Sequence, residues 1–80
     1  MAVYVLSSIA YAGTVLESCD GVQGVFTTED KAREFMLSLW DMYNEVFDGY
    51  DQIDDWTQKF YTDKAIYIIE CMQLDYMMDE

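Results

Sequence analysis

The sequence predicts a small α+β domain, a three-stranded antiparallel sheet with one long acidic amphipathic helix in the order β-β-α-(α)-β. Segments rich in β-branched and aromatic residues near both ends of the chain predict strands. Between them, apolar residues recur at steps of three and four, the spacing of a helix with one buried face. The chain has 80 residues, 52% of them hydrophobic, and we therefore expect a single domain, residues 1–80, with a small core.

Three segments predict the strands of the sheet. Residues 2–11 (AVYVLSSIAY) form the first, and Ala12-Gly13 supplies the turn that follows it. Residues 14–26 form the second, which is interrupted at Asp20-Gly21 by a bulge or a hairpin tip. Residues 65–76 form the last strand.

The helix is predicted to begin at Thr27, whose side chain is a suitable N-cap, and to end at Gly49. Glu29 and Asp30 lie in its first turn, where the positive end of the helix dipole favours carboxylates. Its apolar face consists of Ala32, Phe35, Met36, Leu39, Tyr43, Val46 and Phe47.

Both faces of the predicted sheet are apolar, because apolar residues fill consecutive positions of its first and last strands. One helix covers one face, so the other needs a second helix, a second copy of the chain or a partner. Residues 53–61 predict a short helix that would cover this face with Ile53, Trp56 and Phe60, and an ordered loop is the alternative. The competing prediction is a two-fold homodimer through the sheets. Its contact would include Tyr4, Leu6, Ile66 and Ile68.

The chain lacks the residues that most catalytic and metal sites require. The chain contains no His, so neither a Ser-His nor a Cys-His pair can form. The glycines lack the spacing and the lysine of a phosphate-binding loop, and Gly49 stands at the wrong position for an EF-hand calcium loop. We therefore predict that the protein is not an enzyme and uses no cofactor and no metal. Cys19 and Cys71 are expected to be buried free thiols on strands, with a disulfide between them as the alternative.

The predicted location is the cytoplasm. The apolar start of the chain has no positively charged residue before Lys31, whereas a signal peptide carries positive charge ahead of its apolar region. No apolar run approaches the roughly 18 residues of a membrane span. Sixteen acidic against four basic residues give a net charge of −12, which repels nucleic acid and anionic membranes and favours a basic protein as the partner.

The acidic charge is concentrated in residues 41–56 (DMYNEVFDGYDQIDDW), which contain six carboxylates and no basic residue. On a helix, Glu34, Asp41, Glu45 and Asp48 would form a row opposite the apolar face, with about 4.5–6 Å between successive members of its C-terminal part. Like charges at this spacing destabilise a helix, so we predict a functional surface, although a solvated helix face is the simpler alternative. Asp51, Asp54 and Asp55 would continue this predicted partner-binding surface. Trp40, Tyr50 and Trp56 are possible aromatic anchors, with positions at the edge of the core as the alternative.

Three short motifs, VYVLSS, GVFTTEDKAREF and YIIECMQLD, resemble a family of small, mostly uncharacterised phage and bacterial domains. The resemblance covers most of the chain outside residues 41–62. It implies the same β-β-α-β order and a phage setting, and it implies no activity.

Charge and size are similar to those of anti-CRISPR and anti-restriction proteins that mimic nucleic acid, a likeness of composition and not of motif. The leading prediction is therefore a phage-encoded inhibitor that blocks the basic nucleic-acid-binding groove of a CRISPR effector or a restriction enzyme in the host cytoplasm. The alternatives are an immunity or antitoxin protein that neutralises a basic nuclease toxin, and a non-catalytic dimerisation module.

Overall fold

A computed structural model describes residues 2–11 and 21–73 and contains five strands and one helix in this part of the chain. The α+β class and the antiparallel sheet are confirmed, but the predicted number of three strands is wrong. The two additional strands lie within residues 47–62, and the first of them falls in the acidic segment 41–56, which we call the acidic middle. The elements are β1 (Ala2–Ala10), β2 (Gly21–Phe26), α1 (Glu29–Met42), β3 (Phe47–Asp54), β4 (Thr57–Thr62) and β5 (Ala65–Gln73).

The sheet has the strand order β2-β1-β5-β4-β3, and every neighbouring pair is antiparallel. Its centre is formed by β1 and β5, which pair without interruption from Ala2↔Gln73 to Ala10↔Ala65. The predicted first strand is thus confirmed, and the last one as far as Gln73. The predicted turn at Ala12-Gly13, residues 14–20 with Cys19, and residues 74–76 lie outside the described residues.

The helix is shorter than predicted, because it ends at Met42 and not at Gly49. Asn44 has a φ of 56°, the left-handed conformation that commonly ends a helix and that Asn adopts more readily than most residues. The backbone N–H of Glu45 then donates to the carbonyl of Trp40 at 2.8 Å. The apolar spacing continues past this point, but Phe47 packs on the ring of Trp40 from a strand.

The N-cap is Thr28 and not the predicted Thr27. The extended Thr28 places its hydroxyl to accept from the backbone N–H of Lys31 at 3.2 Å. Glu29 and Asp30 lie in the first turn, as predicted, and Glu29 pairs with Arg33 at 2.8 Å.

Residues 53–61 form neither a short helix nor a loop, so both predictions for this segment are wrong. They comprise the end of β3, a tight turn at residues 55–56 and most of β4. The strand period is visible on β4, where Phe60 and Thr62 are buried and alternate with the partly exposed Lys59 and Tyr61. The prediction failed because Asp is depleted in strands, and the acids of β3 obscured this alternation.

The start of β3 is fixed by Asp63, which lies in the turn between β4 and β5. A carboxylate oxygen of Asp63 accepts from the backbone N–H of Val46 at 2.9 Å, and the N–H of Asp63 donates to the carbonyl of Val46 at 3.0 Å. The Val46 hydrogen bond lowers the pKa of Asp63 below its ordinary value, with a smaller contribution from Lys64, whose ammonium lies 3.3 Å away.

A depressed pKa makes the contribution of Asp63 to stability dependent on pH. The contribution is complete above the ordinary pKa of 3.8 and is lost as the pH falls through the lower folded value. We expect Asp63→Asn to be less stable than wild type at neutral pH, and the difference to shrink below pH 3.8. Urea unfolding of both proteins across this range measures it, and a difference independent of pH would contradict the role given to the ionised carboxylate.

The core lies between α1 and one face of the sheet. Its fully buried members include Leu6 and Ile69 from the central strands and Ala32 and Met36 from the helix. The predicted set of contact residues for a dimer is therefore partly wrong, because Tyr4 and Leu6 face the helix whereas Ile66 and Ile68 occupy the opposite face. Ile53, Trp56 and Phe60, which were predicted to cover the second face of the sheet, do not cover it. Phe60 is buried on the helix side, and Ile53 and Trp56 are exposed.

Candidate functional site

The carboxylates of the acidic middle are displayed by a hairpin, not by a helix. We call residues 47–57, which comprise β3, the turn and the first residue of β4, the acidic hairpin. Among the strands that the structure describes, β3 is one of the two edges of the sheet and pairs only with β4. All four carboxylates of the hairpin are exposed, and none of them forms an ion pair with another described residue. They are Asp48, Asp51, Asp54 and Asp55.

Two irregularities in the pairing of β3 with β4 set the directions of these carboxylates. One shift of register lies between Phe47 and Gly49, at Asp48, and the other between Gln52 and Asp54. Such bulges bend and twist a strand. Residues three apart on a strand are separated by about 10 Å, so the charges are spread more widely than in the helical row that the sequence predicted.

The turn is held by hydrogen bonds from within the hairpin. The Gln52 amide donates to the carbonyl oxygens of Asp54 and Thr57 and accepts from the Tyr50 hydroxyl. The carboxylate of Asp54 accepts from the backbone N–H of Trp56 at 2.8 Å. The carbonyl of Trp56 in turn accepts from the N–H of Cys71 on β5 at 2.7 Å, which ties the turn to the sheet. These contacts order the surface before any partner binds, which lowers the entropic cost of binding.

Asp51 is attached to the neighbouring strand on the face away from the helix. The Tyr61 hydroxyl donates to its carboxylate at 3.0 Å, and this hydrogen bond raises the pKa of Tyr61. Lys59 stands directly opposite Asp51 in the register, without an ion pair between them. The carboxylate of Asp51 is therefore held to β4 by a side-chain hydrogen bond.

Large apolar side chains lie among the charges of the hairpin. Tyr50 is 43% exposed, Ile53 51% and Trp56 57%. Tyr50 rests on Phe60 with 5.0 Å between ring centroids, and Trp56 occupies the turn. The structure thus places two of the predicted anchors beside the carboxylates. Ile53, which the sequence predicted to cover the second face of the sheet, lies beside these carboxylates as well.

Trp40, the third predicted anchor, belongs to the edge of the core. Its ring stacks on Phe47 at 5.7 Å and meets Phe60 and Tyr67 edge-on at 6.4 and 6.0 Å. Its indole N–H is buried without a hydrogen-bond partner. These contacts join the helix to β3, β4 and β5, which is a structural role.

Glu45, a predicted member of the binding surface, points into the fold. One carboxylate oxygen accepts from the Thr62 hydroxyl at 2.6 Å and the other from the Tyr67 hydroxyl at 2.5 Å. Glu34 and Asp41 are exposed on α1, away from the hairpin in sequence and on a different element. The seven predicted acids therefore divide into four on the hairpin, two on the helix and one that serves the fold.

Replacing Glu45 is expected to destabilise the protein, whereas replacing its neighbour in the acidic run is not. Glu45→Ala removes the charged acceptor of two hydroxyls, and we expect the free energy of unfolding to fall by about 2 kcal/mol. Asp48→Ala removes an exposed, unpaired carboxylate and should change it by less than about 0.5 kcal/mol. Urea unfolding of both variants measures the difference, and equal effects would contradict the assigned roles.

A shallow pocket lies where the hairpin turn meets the sheet and the start of the helix. Its lining includes Asp55 and Trp56 of the hairpin, Glu29 of the helix and Cys71 of β5. Cys71 is a free, half-buried thiol on β5, and its hydrogen bond with Tyr4 raises the pKa of the Tyr4 hydroxyl. Glu29 already accepts from Arg33 and Gln58. The described residues contain no group of three or more His, Cys, Asp or Glu arranged to hold a metal ion.

Comparisons with protein-family models, with curated proteins and with solved structures find no match for the chain. The resemblance to small phage and bacterial domains therefore stays a prediction. Within residues 2–11 and 21–73, no helix is long and apolar enough to cross a membrane.

Proposed function

We propose that this protein uses the acidic hairpin to occupy a basic nucleic-acid-binding site on another protein and thereby excludes nucleic acid from that site. One observation carries the proposal: four exposed carboxylates stand together with the exposed side chains of Tyr50, Ile53 and Trp56 on an ordered hairpin at the edge of the sheet. Charge would select and orient the basic partner, and the apolar groups would supply contact area.

The distribution of charge supports a basic partner. Of the four basic residues, Arg33 and Lys64 already pair with carboxylates of this chain. Sixteen acidic residues against four basic ones leave twelve negative charges uncompensated, and this excess repels nucleic acid and anionic surfaces. A groove lined with Lys and Arg that ordinarily neutralise phosphates offers the opposite field, and binding there releases counterions.

Acids and bulges on an edge strand have a second explanation, because both keep the strand from pairing with the edges of other chains. This explanation accounts for the carboxylates of β3. It does not account for Trp56 and Ile53, since a strand protected against association gains nothing from exposed apolar groups at its tip. The combination of charge with a large aromatic residue therefore favours a binding surface.

The class of target follows from the same chemistry. Enzymes that hold nucleic acid in a basic groove, among them CRISPR effectors, restriction enzymes and nuclease toxins, present the lysines and arginines that the hairpin requires. The phage setting that the resemblance predicts favours CRISPR effectors and restriction enzymes as targets.

A displacement assay tests the proposal. A labelled nucleic acid is bound to each member of a panel of such enzymes, and the protein is added at increasing concentration. We expect displacement from at least one enzyme, with an apparent affinity that weakens as the concentration of competing nucleic acid rises. Binding to an enzyme without displacement, or displacement that saturating nucleic acid does not oppose, would contradict occupation of the groove.

A further inference from the structure

The face of the sheet opposite α1 is apolar at its centre and has no covering element among the described residues. Two central strands and the edge strand β2 contribute to it. Its apolar members are Val3, Val5, Ile9, Val22, Val25, Ile66, Ile68 and Met72. We call these residues the open face. They are partly or largely exposed, and Ile9 retains 53% of its surface.

We propose that the open face is the contact surface of a homodimer, in which two copies of the chain pack sheet against sheet around a two-fold axis. This inference is independent of the proposed function, because the acidic hairpin takes no part in the contact. It replaces the mixed set of contact residues that the sequence predicted with residues that share one face.

The area of the open face suits a small contact between two copies. Its three strands, of nine, six and nine residues, lie about 4.8 Å apart and rise about 3.3 Å per residue, which gives a projected area of roughly 400 Å². Protruding side chains raise the accessible area above this projection. A standard interface buries roughly 800 Å² on each partner and weak complexes bury less than about 600 Å², so the open face has the size of the contact in a weak dimer.

The charges on this side of the sheet also suit a second copy. Among the described residues of the two central strands, Glu70 is the only charged side chain on the open side. Lys59 lies diagonally from Glu70 and directly opposite Asp51, so the cation that β4 places on this side of the sheet stands between two carboxylates. The carboxylates that would bind a basic partner lie on the hairpin, whereas the open face is largely uncharged. A self-complementary apolar contact is the arrangement that this pattern fits.

The mass of the protein tests the dimer directly. Sedimentation over about a hundredfold range of concentration should show monomers converting to dimers, with tighter association at higher salt because screening reduces the repulsion between two chains of −12. A monomer mass across the whole range would overturn the proposal, and would mean that the face is covered within the chain or reserved for another protein.

Two variants with the same added charge locate the contact. Ile68→Asp places a carboxylate at the centre of the open face and should abolish the dimer, whereas Leu37→Asp adds it to an exposed position of α1 and should leave the dimer intact. Ile68→Thr keeps a β-branched residue in the strand and should weaken the dimer at least about tenfold if Ile68→Asp fails to fold. A dimer unaffected by the Ile68 variants would overturn the proposed surface. Neutralising the hairpin should not weaken the dimer, since it only reduces the repulsion between the two chains, so this test is separate from that of the proposed function.

Discussion

Trp40→Ala is expected to lower the free energy of unfolding by about 3 kcal/mol or more, because the ring packs against residues of three strands. A domain of this size is stabilised by roughly 4–12 kcal/mol in total, so the loss is a large part of its stability. We expect a fall in Tm of at least about 12 °C in a thermal unfolding experiment.

Trp40→Phe and Trp56→Ala are the matched controls. Phe retains an aromatic ring and removes the indole N–H that has no hydrogen-bond partner, so Trp40→Phe should cost much less than Trp40→Ala. Trp56 is 57% exposed, and its loss should change stability by less than about 1 kcal/mol while weakening binding to the partner. A stable Trp40→Ala protein that fails to bind would show instead that Trp40 is an anchor.

The parts of the fold predicted correctly are those in which local preference and burial agree. Residues 2–10 and 65–73 carry β-branched and aromatic residues and form the two central strands. The start of the helix was predicted to within one residue because a capping hydroxyl and first-turn acids occur together there.

The acidic middle was predicted wrongly because its apolar residues satisfy the spacing of a helix while its tertiary contacts favour strands. Tyr43, Val46 and Phe47 continue the steps of three and four beyond the end of the helix, but Asn44 turns the chain into the left-handed conformation first. Phe47 then reaches Trp40 from β3. No local pattern in the sequence shows this contact, which depends on the pairing of β3 with β4 and of β4 with β5.

The sequence predicts which residue types the candidate site contains, but not how the fold arranges them. The count of carboxylates and the absence of cations follow from the sequence, whereas their separation into exposed and inward-facing groups depends on the fold. Glu45 and Asp48 are three residues apart in the same acidic run, yet Glu45 accepts from two core hydroxyls and Asp48 is exposed at a bulge.

Neutralising three hairpin carboxylates is expected to weaken binding to the basic partner by about threefold to a hundredfold, since exposed ion pairs contribute about 0.2–1 kcal/mol each. Asp48→Asn, Asp54→Asn and Asp55→Asn change three residues without altering Asp51, which accepts from Tyr61. Asn at position 54 retains the oxygen that accepts from the N–H of Trp56.

The matched control neutralises three exposed acids of the helix, Asp30, Glu34 and Asp41, to Asn, Gln and Asn. In either triple variant three charges are removed, which changes the net charge from −12 to −9. General attraction between an acidic and a basic protein would therefore weaken equally in both. Only contact at the hairpin makes the hairpin variant weaker than the helix variant, and circular dichroism of both shows whether the fold is retained.

The most direct test of an acidic hairpin in a nucleic-acid site is the dependence of partner affinity on salt, measured for wild type and the two triple variants. Each partner cation paired with the hairpin contributes to the slope of log Kd against log salt concentration. We predict that the hairpin variant has the shallower slope and the weaker affinity, whereas the helix variant stays close to wild type on both measures. Equal slopes for the two variants, or a greater loss in the helix variant, would contradict the assignment of binding to the hairpin.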